Sequence, residues 1–373
     1  MADYNSYADT VRDYDEFETF LKSYYSDLQP TGENLELYYL ISQRTEGFSD
    51  QLERIDEFYG KFDIESKVLD AKESRELLRV EMEHRKQKNV VSGTVLYEID
   101  HEKNMVRGIT DSGKEVTESA IQITNKMYPV FERLFLSSYL LRSILEDFIG
   151  AGYSGRATQI TTQKWWDKDF KPKSAVEYPT DIPLDIVLEE FQDPGKVLKM
   201  FSGVISADGR DLLKLYINRD GRIKYKDGRY EIFKEVVNSI ESYAEEEVKK
   251  FSDIEKGSDD HSFLEVKFEE LSKEEPEKEV IERFRNAIQK EQIFQEAVMH
   301  SGNPYYHSSV ADREDGSSFE VMLTSEGDNF TLNILPNYSL SSISVLKFKR
   351  TVFQEFGEGE IEKIERGGGQ SSN

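Results

Sequence analysis

Residues 207–229 have the sequence ADGRDLLKLYINRDGRIKYKDGR, in which the tripeptide Asp-Gly-Arg occurs at 208–210, 220–222 and 227–229. Asp-Gly supplies the positive backbone φ that tight hairpin turns require. Between these tripeptides apolar and polar side chains alternate, which is typical of short strands with one buried face. The stretch therefore predicts an antiparallel β-meander, which we place at residues 203–233.

Helix and hairpin patterns surround this meander. Apolar side chains recur at helical spacing in 230–251, directly after it. Two alternating segments before it, 90–100 and 105–116, predict a hairpin. Beyond the helix we predict a strand at 261–271, a helix at 278–299, a hairpin at 319–335 and a closing strand at 342–353.

The first 88 residues predict helices instead. Apolar side chains recur at helical spacing in 17–28 and in 48–62, and the charged segment 64–88 predicts a third helix with a thin apolar seam. The period changes to two after Asn89. We therefore predict an α+β fold, in which a helical N-terminal region precedes a larger mixed region of antiparallel hairpins and packed helices.

The predicted boundaries follow from these changes of pattern. The helical region covers 1–89 and the α+β region covers 90–366. Within the latter, residues 241–282 carry 16 acidic and six basic side chains, which predicts a solvated acidic surface. The last residues, 367–373, form a flexible tail rich in Gly and Ser.

Composition limits the classes of function. The 373 residues include 73 Asp or Glu and 48 Lys or Arg, for a net charge of −25. Such a charge repels nucleic acid and anionic lipid over most of the surface, which excludes broad, nonspecific coating of DNA. The excess of carboxylates also suggests adaptation to high salt as a hypothesis.

The absence of cysteine excludes disulfides, thiolate zinc sites and cysteine nucleophiles. It favours a reducing compartment, and the N-terminal residues lack the basic and apolar regions of a signal peptide. We therefore predict a cytoplasmic protein. The apolar segment 129–149 has the length of a membrane span, but its five charged side chains would each cost about 2.5–3.5 kcal/mol near the bilayer centre. We predict a buried helix there and no membrane insertion.

One segment is basic, although the chain as a whole is acidic. Residues 156–173 hold five Lys or Arg against two Asp, together with both tryptophans. Basic side chains neutralise phosphates, and indole rings stack on unpaired bases. The candidate binding residues are Arg156, Lys164, Trp165, Trp166, Lys168, Lys171 and Lys173.

Single-stranded nucleic acid is one predicted partner of this segment, and another protein is the alternative, because Trp and Arg are favoured interface anchors. A third interpretation is structural: one Trp packs in the core while the lysines balance nearby carboxylates. Adjacent strand residues point to opposite faces, so in a strand one of the two indoles is exposed.

Asp260, Glu265 and Lys267 form the candidate catalytic set. Glu265-Val266-Lys267 lies in the predicted strand FLEVKF, and Asp260 precedes it. This E-x-K pattern resembles half of the motif of restriction-endonuclease-like nucleases, which implies two carboxylates that hold a divalent metal and a lysine that assists hydrolysis. In that family the first acidic residue stands well upstream on a neighbouring strand, and here it is only five residues away.

Other signatures are incomplete. GAGYSG at 150–155 fits G-x-G-x-x-G, but it follows a predicted helix where a dinucleotide-binding loop follows a strand. The five histidines show no metal-ligand spacing. We therefore expect no cofactor and a non-catalytic accessory or interaction protein; the alternatives are a metal-dependent nuclease and a self-assembling structural protein, with homo-oligomers as a further possibility.

Overall fold

The structure is a computed structural model. It describes residues 7–25, 34–87, 89–164, 182–190, 196–252, 262–268, 277–302, 305–326, 329–337, 340–355 and 358–365. These divide into two compact units. The first comprises the described residues of Met1–Thr162, Ser174–Glu190 and Leu198–Glu246, and the second comprises those of Gln163–Lys173, Phe191–Val197 and Glu247–Asn373.

The first unit is built on an antiparallel sheet of 11 strands, in the order β2-β3-β4-β5-β1-β11-β10-β9-β7-β8, with β6 paired to β1. The strands are β1 (Leu35–Ser42), β2 (Phe62–Ala71), β3 (Arg75–Arg85), β4 (Val90–Asp100), β5 (Met105–Thr110), β6 (Phe131–Arg133), β7 (Ser154–Lys164), β8 (Ile182–Pro183), β9 (Lys196–Ala207), β10 (Arg210–Asn218) and β11 (Ile223–Gly228). The helices are α1 (Tyr14–Tyr25), α2 (Phe48–Phe58), α3 (Lys114–Thr124), α4 (Ser138–Gly150), α5 (Leu184–Glu190) and α6 (Tyr230–Ser252), with 3-10 turns at Tyr7–Thr10 and Asn125–Met127.

Helices cover both faces of this sheet near β1. Tyr38 belongs to an apolar cluster with Phe48 and Leu52 of α2 and with residues of α3. The next residue, Tyr39, points to the opposite face and lies 3.4 Å from Glu241 of α6. All eight residues of β1 are consequently buried, as expected for a central strand with helices on both sides.

The second unit contains a six-stranded antiparallel sheet in the order β13-β14-β15-β16-β12-β17. Its elements are β12 (Ser262–Phe268), α7 (Glu277–Lys290), β13 (Phe294–Gly302), β14 (Tyr305–Asp312), β15 (Ser318–Glu326), β16 (Asn329–Pro336), α8 (Ser342–Glu355) and β17 (Glu360–Glu365). An aromatic cluster joins the helices to the sheet. The ring of Phe348 on α8 lies 4.9 Å from that of Phe319 and 5.6 Å from that of Phe294, so one helical residue anchors two strands.

The predicted α+β fold is confirmed, since the described residues form eight α-helices and two antiparallel sheets. The meander is present as β9, β10 and β11. Gly209 and Gly221 adopt φ values of +73° and +74° in its two turns. The third Asp-Gly-Arg does not form a hairpin, because Gly228 ends β11 directly before α6.

Two predicted elements are wrong. The third N-terminal helix, 64–88, is replaced by strands β2 and β3, where Leu78, Val80 and Met82 alternate toward the buried face. The closing strand at 342–353 is helix α8. The predicted boundary between 1–89 and 90–366 falls between β3 and β4, which pair along their whole length, so the sheet is continuous there.

Two further elements begin or end elsewhere than predicted. Helix α7 ends at Lys290, and the remainder of the predicted helix is strand β13. Helix α4 begins at Ser138 rather than near Pro129, because the hydroxyl of Ser137 accepts the backbone N–H of Leu140 at 3.1 Å and caps the helix. No helix in the described part of the chain has both the length and the apolar character needed to cross a bilayer.

Candidate anion-binding face

Strand β7 contains the beginning of the predicted basic segment. Arg156 lies near its start and Lys164 is its last residue, although the Lys164 side chain is outside the described part of the structure. The remaining candidates lie outside the described residues altogether: Trp165, Trp166, Lys168, Lys171 and Lys173. The structure describes only part of the predicted acidic segment, 241–282. The predicted tail, 367–373, lies outside the described residues.

Arg156 forms a bidentate ion pair with Asp211 on β10. Its two terminal nitrogens lie 3.3 and 3.1 Å from the two carboxylate oxygens. The hydrogen bond from Arg156 lowers the pKa of the Asp211 carboxyl group. The charge of Arg156 is therefore neutralised by Asp211, in line with a structural role for this residue.

The strands beside β7 carry a polar surface in the first unit. Ser202 on β9 is the register partner of Tyr216 on β10, which in turn is the partner of Lys224 on β11. Side chains at paired positions share one face of a sheet. Thr158 on β7 joins this surface, because its hydroxyl donates to the Ser202 carbonyl at 3.1 Å.

Arg222 and Lys224 lie two residues apart, in β11 and the turn before it, and such residues point to the same side. Lys226 lies at an irregularity in the pairing of β11 with β10, and its ammonium group reaches the same side, where it contacts Ser202. We call the surface formed by Thr158, Ser202, Tyr216, Arg222, Lys224 and Lys226 the basic face.

One buried carboxylate faces two of these cations. Glu36 on β1 is 1% exposed, and its oxygens lie 2.7 Å from the Arg222 Nε atom and 2.7 Å from the Lys224 ammonium group. Arg222 also lies 3.9 Å from Glu118 on α3. Glu36 is therefore held firmly in place, and its single charge is shared between two cations.

Lys226 has no carboxylate partner among the described residues. Its ammonium group donates a hydrogen bond to the neutral hydroxyl of Ser202 at 2.9 Å. Burial of the amine, followed by repulsion from Lys224, lowers the pKa of Lys226. In a chain with a net charge of −25, an exposed lysine whose hydrogen-bond partner is neutral and whose neighbour is a cation is unusual.

Tyr216 supplies the aromatic group of the basic face. Its hydroxyl accepts a hydrogen bond from the side-chain amide of Asn218 at 3.1 Å, and burial raises the pKa of its phenol. The ring is partly exposed between Ser202 and Lys224. The face thus combines cations, hydroxyl donors and an aromatic ring, which are the groups that contact phosphates and unpaired bases.

The candidate catalytic set is only partly within the described residues. Asp260 is outside them. The Lys267 ammonium group lies 2.7 Å from Glu362 on β17 and 3.2 Å from Glu265. Hydrogen bonds from Lys267 to Glu362 and then to Glu265 raise the pKa of this exposed lysine.

Lys267 thus stands between two carboxylates, the position that a metal ion would take in a nuclease. Within the ranges given above, no three His, Asp or Glu side chains are arranged to hold a metal ion. A surface ion-pair cluster accounts for the geometry of these described residues.

A second polar cluster lies on the side of the sheet that faces α6. Arg107 contacts Glu98 and lies 3.0 Å from Glu241, and Arg75 lies 3.2 Å from Asp100. The adjoining space of about 40 Å³ holds only a few water molecules. The charges of this cluster are paired with one another, and little room is left for a ligand.

A larger cleft of about 650 Å³ opens beside the first turns of α6. It is lined by Tyr153, Asp208, Arg210, Arg229, Glu231 and Glu235. Three carboxylates and two guanidinium groups leave it with mixed charge. Unlike the basic face, this cleft therefore does not favour anionic over cationic ligands.

Comparison with known proteins gives no functional information. No protein-family model matches the chain, and no curated protein is similar to it in sequence.

The basic face contains residues that the sequence analysis did not select. The signal was available in RIKYK at 222–226, where alternate basic side chains had to share one face of the predicted strand. The contribution of Ser202 had no such signal, because it depends on the pairing of β9 with β10.

Proposed function

We propose that this chain is a non-catalytic interaction protein that binds single-stranded nucleic acid through the basic face, with segment 156–173 as a second predicted contact. The observation that supports this most directly is the arrangement of Lys226, which donates to the neutral Ser202 hydroxyl beside a second lysine, Lys224. A phosphate placed there would give Lys226 an anionic partner and would offset the repulsion between the two ammonium groups.

The surrounding groups suit a phosphate backbone. The exposed Thr158 offers a hydroxyl group near Lys226, whereas Ser202 is 2% exposed and positions the Lys226 ammonium group. Hydroxyl and lysine side chains are frequent contacts of phosphate oxygens. The ring of Tyr216 lies at the neighbouring register position and offers a surface for one base. The proposal thus assigns positions to phosphate and base on one sheet surface.

Segment 156–173 is the second predicted contact. Its Trp165 and Trp166 follow strand β7 in the sequence and lie outside the described residues. Stacking on an indole contributes about 1–3 kcal/mol per base and tolerates any sequence. Because the rest of the chain is strongly acidic, contact would be local, and a flexible single strand would follow the site more easily than a rigid duplex. The predicted cytoplasmic location would make RNA the accessible polymer.

Fluorescence anisotropy with labelled single-stranded RNA, single-stranded DNA and duplex DNA, over a series of KCl concentrations, tests the proposal. We expect Lys226→Gln to weaken single-strand binding and to reduce the salt slope by about 1, the value for one lost phosphate contact. Lys67→Gln is the matched control, since it removes one exposed lysine from β2 on a distant strand.

The paired variant Trp165→Ala with Trp166→Ala separates the two parts of the site. It should weaken binding by about 1–3 kcal/mol per stacked base and leave the salt slope nearly unchanged. Equal binding by the wild type, Lys226→Gln and the double Trp variant would reject the proposal. Cleavage of the probe in Mg²⁺ or Mn²⁺ that EDTA and Glu265→Ala abolish would favour the nuclease alternative instead.

A further inference from the structure

Strand β13 leaves one edge of the sheet in the second unit open. It stands first in the strand order, so β14 pairs with one edge, and no strand within the described ranges pairs with the other. Five consecutive residues, Ala297–Ser301, are exposed, including Val298 at 41% and Met299 at 58%. An open strand edge presents unpaired backbone N–H and C=O groups, which favours pairing with another strand.

The exposed side chains of this edge include no Asp, Glu, Lys or Arg. Its only acidic residue is Glu296, whose side chain is 3% exposed. That carboxylate accepts the hydroxyl of Tyr306 and lies 3.7 Å from the guanidinium of Arg285, so it belongs to the interior. The outward surface of β13 therefore lacks the charges that usually prevent strands from pairing.

The other strand edges do carry such charges. Strand β17, at the opposite end of the same sheet, has Glu360, Glu362, Lys363 and Glu365 among its six residues. Strand β2, an edge of the first sheet, has Asp63, Glu65, Lys67 and Asp70. Strand β8 is two residues long and contains a proline. Outward charges, shortness and proline are common means by which proteins protect sheet edges, and β13 has none of these three; its protection is limited to the inward-pointing Glu296 and the bulge after Val298.

We propose that β13 pairs with β13 of a second copy of this chain, antiparallel and around a two-fold axis, so that two sheets of the second unit become continuous. A two-fold interface places each surface opposite itself, so any charge on the strand would face its own sign. The acidic surface repels a second copy elsewhere, and β13 permits approach without that repulsion.

The register of the hairpin places the contact near the start of the strand. Pairing of β13 with β14 is regular from Phe294 to Val298, and a bulge follows between Val298 and His300. A bulge increases the local twist and interrupts a ladder. The regular portion, Phe294–Val298, is therefore the part that would pair, with Val298 at the end of the contact.

Sedimentation velocity over a range of protein concentrations in high KCl, where repulsion between acidic surfaces is screened, tests this proposal. We expect a monomer–dimer equilibrium in the wild type. Val298→Lys should raise the dimer dissociation constant at least about tenfold, because it places a charged side chain on the edge that pairs. Val68→Lys is the control, since Val68 is 49% exposed on the charged edge strand β2.

A cross-linking measurement identifies the surface. Since the chain contains no cysteine, Ala297→Cys with a short bismaleimide should give a covalent dimer at concentrations where Val68→Cys does not.

Three results would overturn the proposal: a wild type that stays monomeric at all concentrations, a dimer that Val298→Lys leaves unchanged, or equal cross-linking at positions 297 and 68. The substitutions lie at exposed positions, so circular dichroism should show unchanged folding. Binding of nucleic acid need not change with any of these variants, which keeps the two proposals separate.

Discussion

The ammonium group of Lys349 on α8 forms an ion pair with the carboxylate of Glu247 inside the second unit, with side-chain exposures of only 6% and 7%. The rings of Phe251 and Phe353 flank the ammonium group at 5.6 and 5.4 Å. A paired charge in apolar surroundings is tolerated, whereas a single one is strongly unfavourable.

We expect Lys349→Met to destabilise the second unit by about 3–5 kcal/mol, because the buried Glu247 charge loses its partner. The double variant Lys349→Met with Glu247→Leu should recover most of that loss, since both charges are gone. Urea denaturation monitored by circular dichroism measures the differences. A double variant as unstable as the single one would show that the shape of the lysine side chain matters more than charge pairing.

The hydroxyl groups of Tyr38 and Tyr97 provide a second test by paired substitution. They lie 2.6 Å apart in the core of the first unit, and burial raises the pKa of both phenols. Replacing either residue by Phe leaves one hydroxyl without its partner, at a cost of about 1–3 kcal/mol. The double Phe variant should be closer to wild type in thermal and urea unfolding. Additive losses in this double-mutant cycle would argue against a mutual hydrogen bond.

Substitution by Ala at two glycines of the meander should lower the folding stability by different amounts. Gly209 has a φ of +73° and nothing within 4 Å of the added carbon, so Gly209→Ala should cost about 1 kcal/mol from backbone strain. Gly228 has a φ of +127°, and its added carbon would lie 2.3 Å from the Leu212 carbonyl oxygen. Gly228→Ala should therefore cost at least about 3 kcal/mol. Urea midpoints of the two variants check the order, and similar losses would contradict it.

His84 predicts a pH dependence of stability. It is buried against the Phe62 ring, 3.0 Å from the Ser119 hydroxyl, and burial lowers its pKa, with Lys86 and Lys61 contributing. The unfolded chain, with a histidine pKa of about 6.5, then binds a proton more readily than the folded chain. Folding stability is therefore lost as the pH falls through that value toward the folded pKa.

His84→Gln removes this proton linkage while retaining a partner for Ser119. Between pH 8 and pH 5 the wild type should lose more unfolding free energy than the variant, and chemical denaturation at several pH values measures the difference. Parallel losses in both proteins would show that the carboxylates, rather than His84, determine the pH dependence.

The meander and strand β3 differ in how well the local sequence pattern agrees with the final pairing of the strands. The meander was predictable because Asp208-Gly209 and Asp220-Gly221 combine turn chemistry with flanking alternation, and local and tertiary preferences agree there. Strand β3 was missed because its many Glu and Arg residues favour helix locally, while pairing with β2 and β4 fixes it as a strand.

Helix α8 shows the opposite conflict. Its Ile, Val and Thr residues favour a strand, yet Val345, Phe348 and Val352 follow helical spacing and are buried together. For the candidate site, alternation in RIKYK was visible, but the partner of Lys226 was not. The open edge of β13 depends on strand order, which a single sequence does not contain.

The central position of β1 also has a consequence for synthesis on the ribosome. Its residues 36–41 pair with β5, but Leu35–Leu37 also require β11, whose residues 223–225 emerge much later. At a translation rate of about 5–20 residues per second, the nascent chain exposes this apolar strand edge for roughly 6–24 s after β5 has appeared. Chaperones that bind newly made chains should therefore engage this protein before its meander is complete.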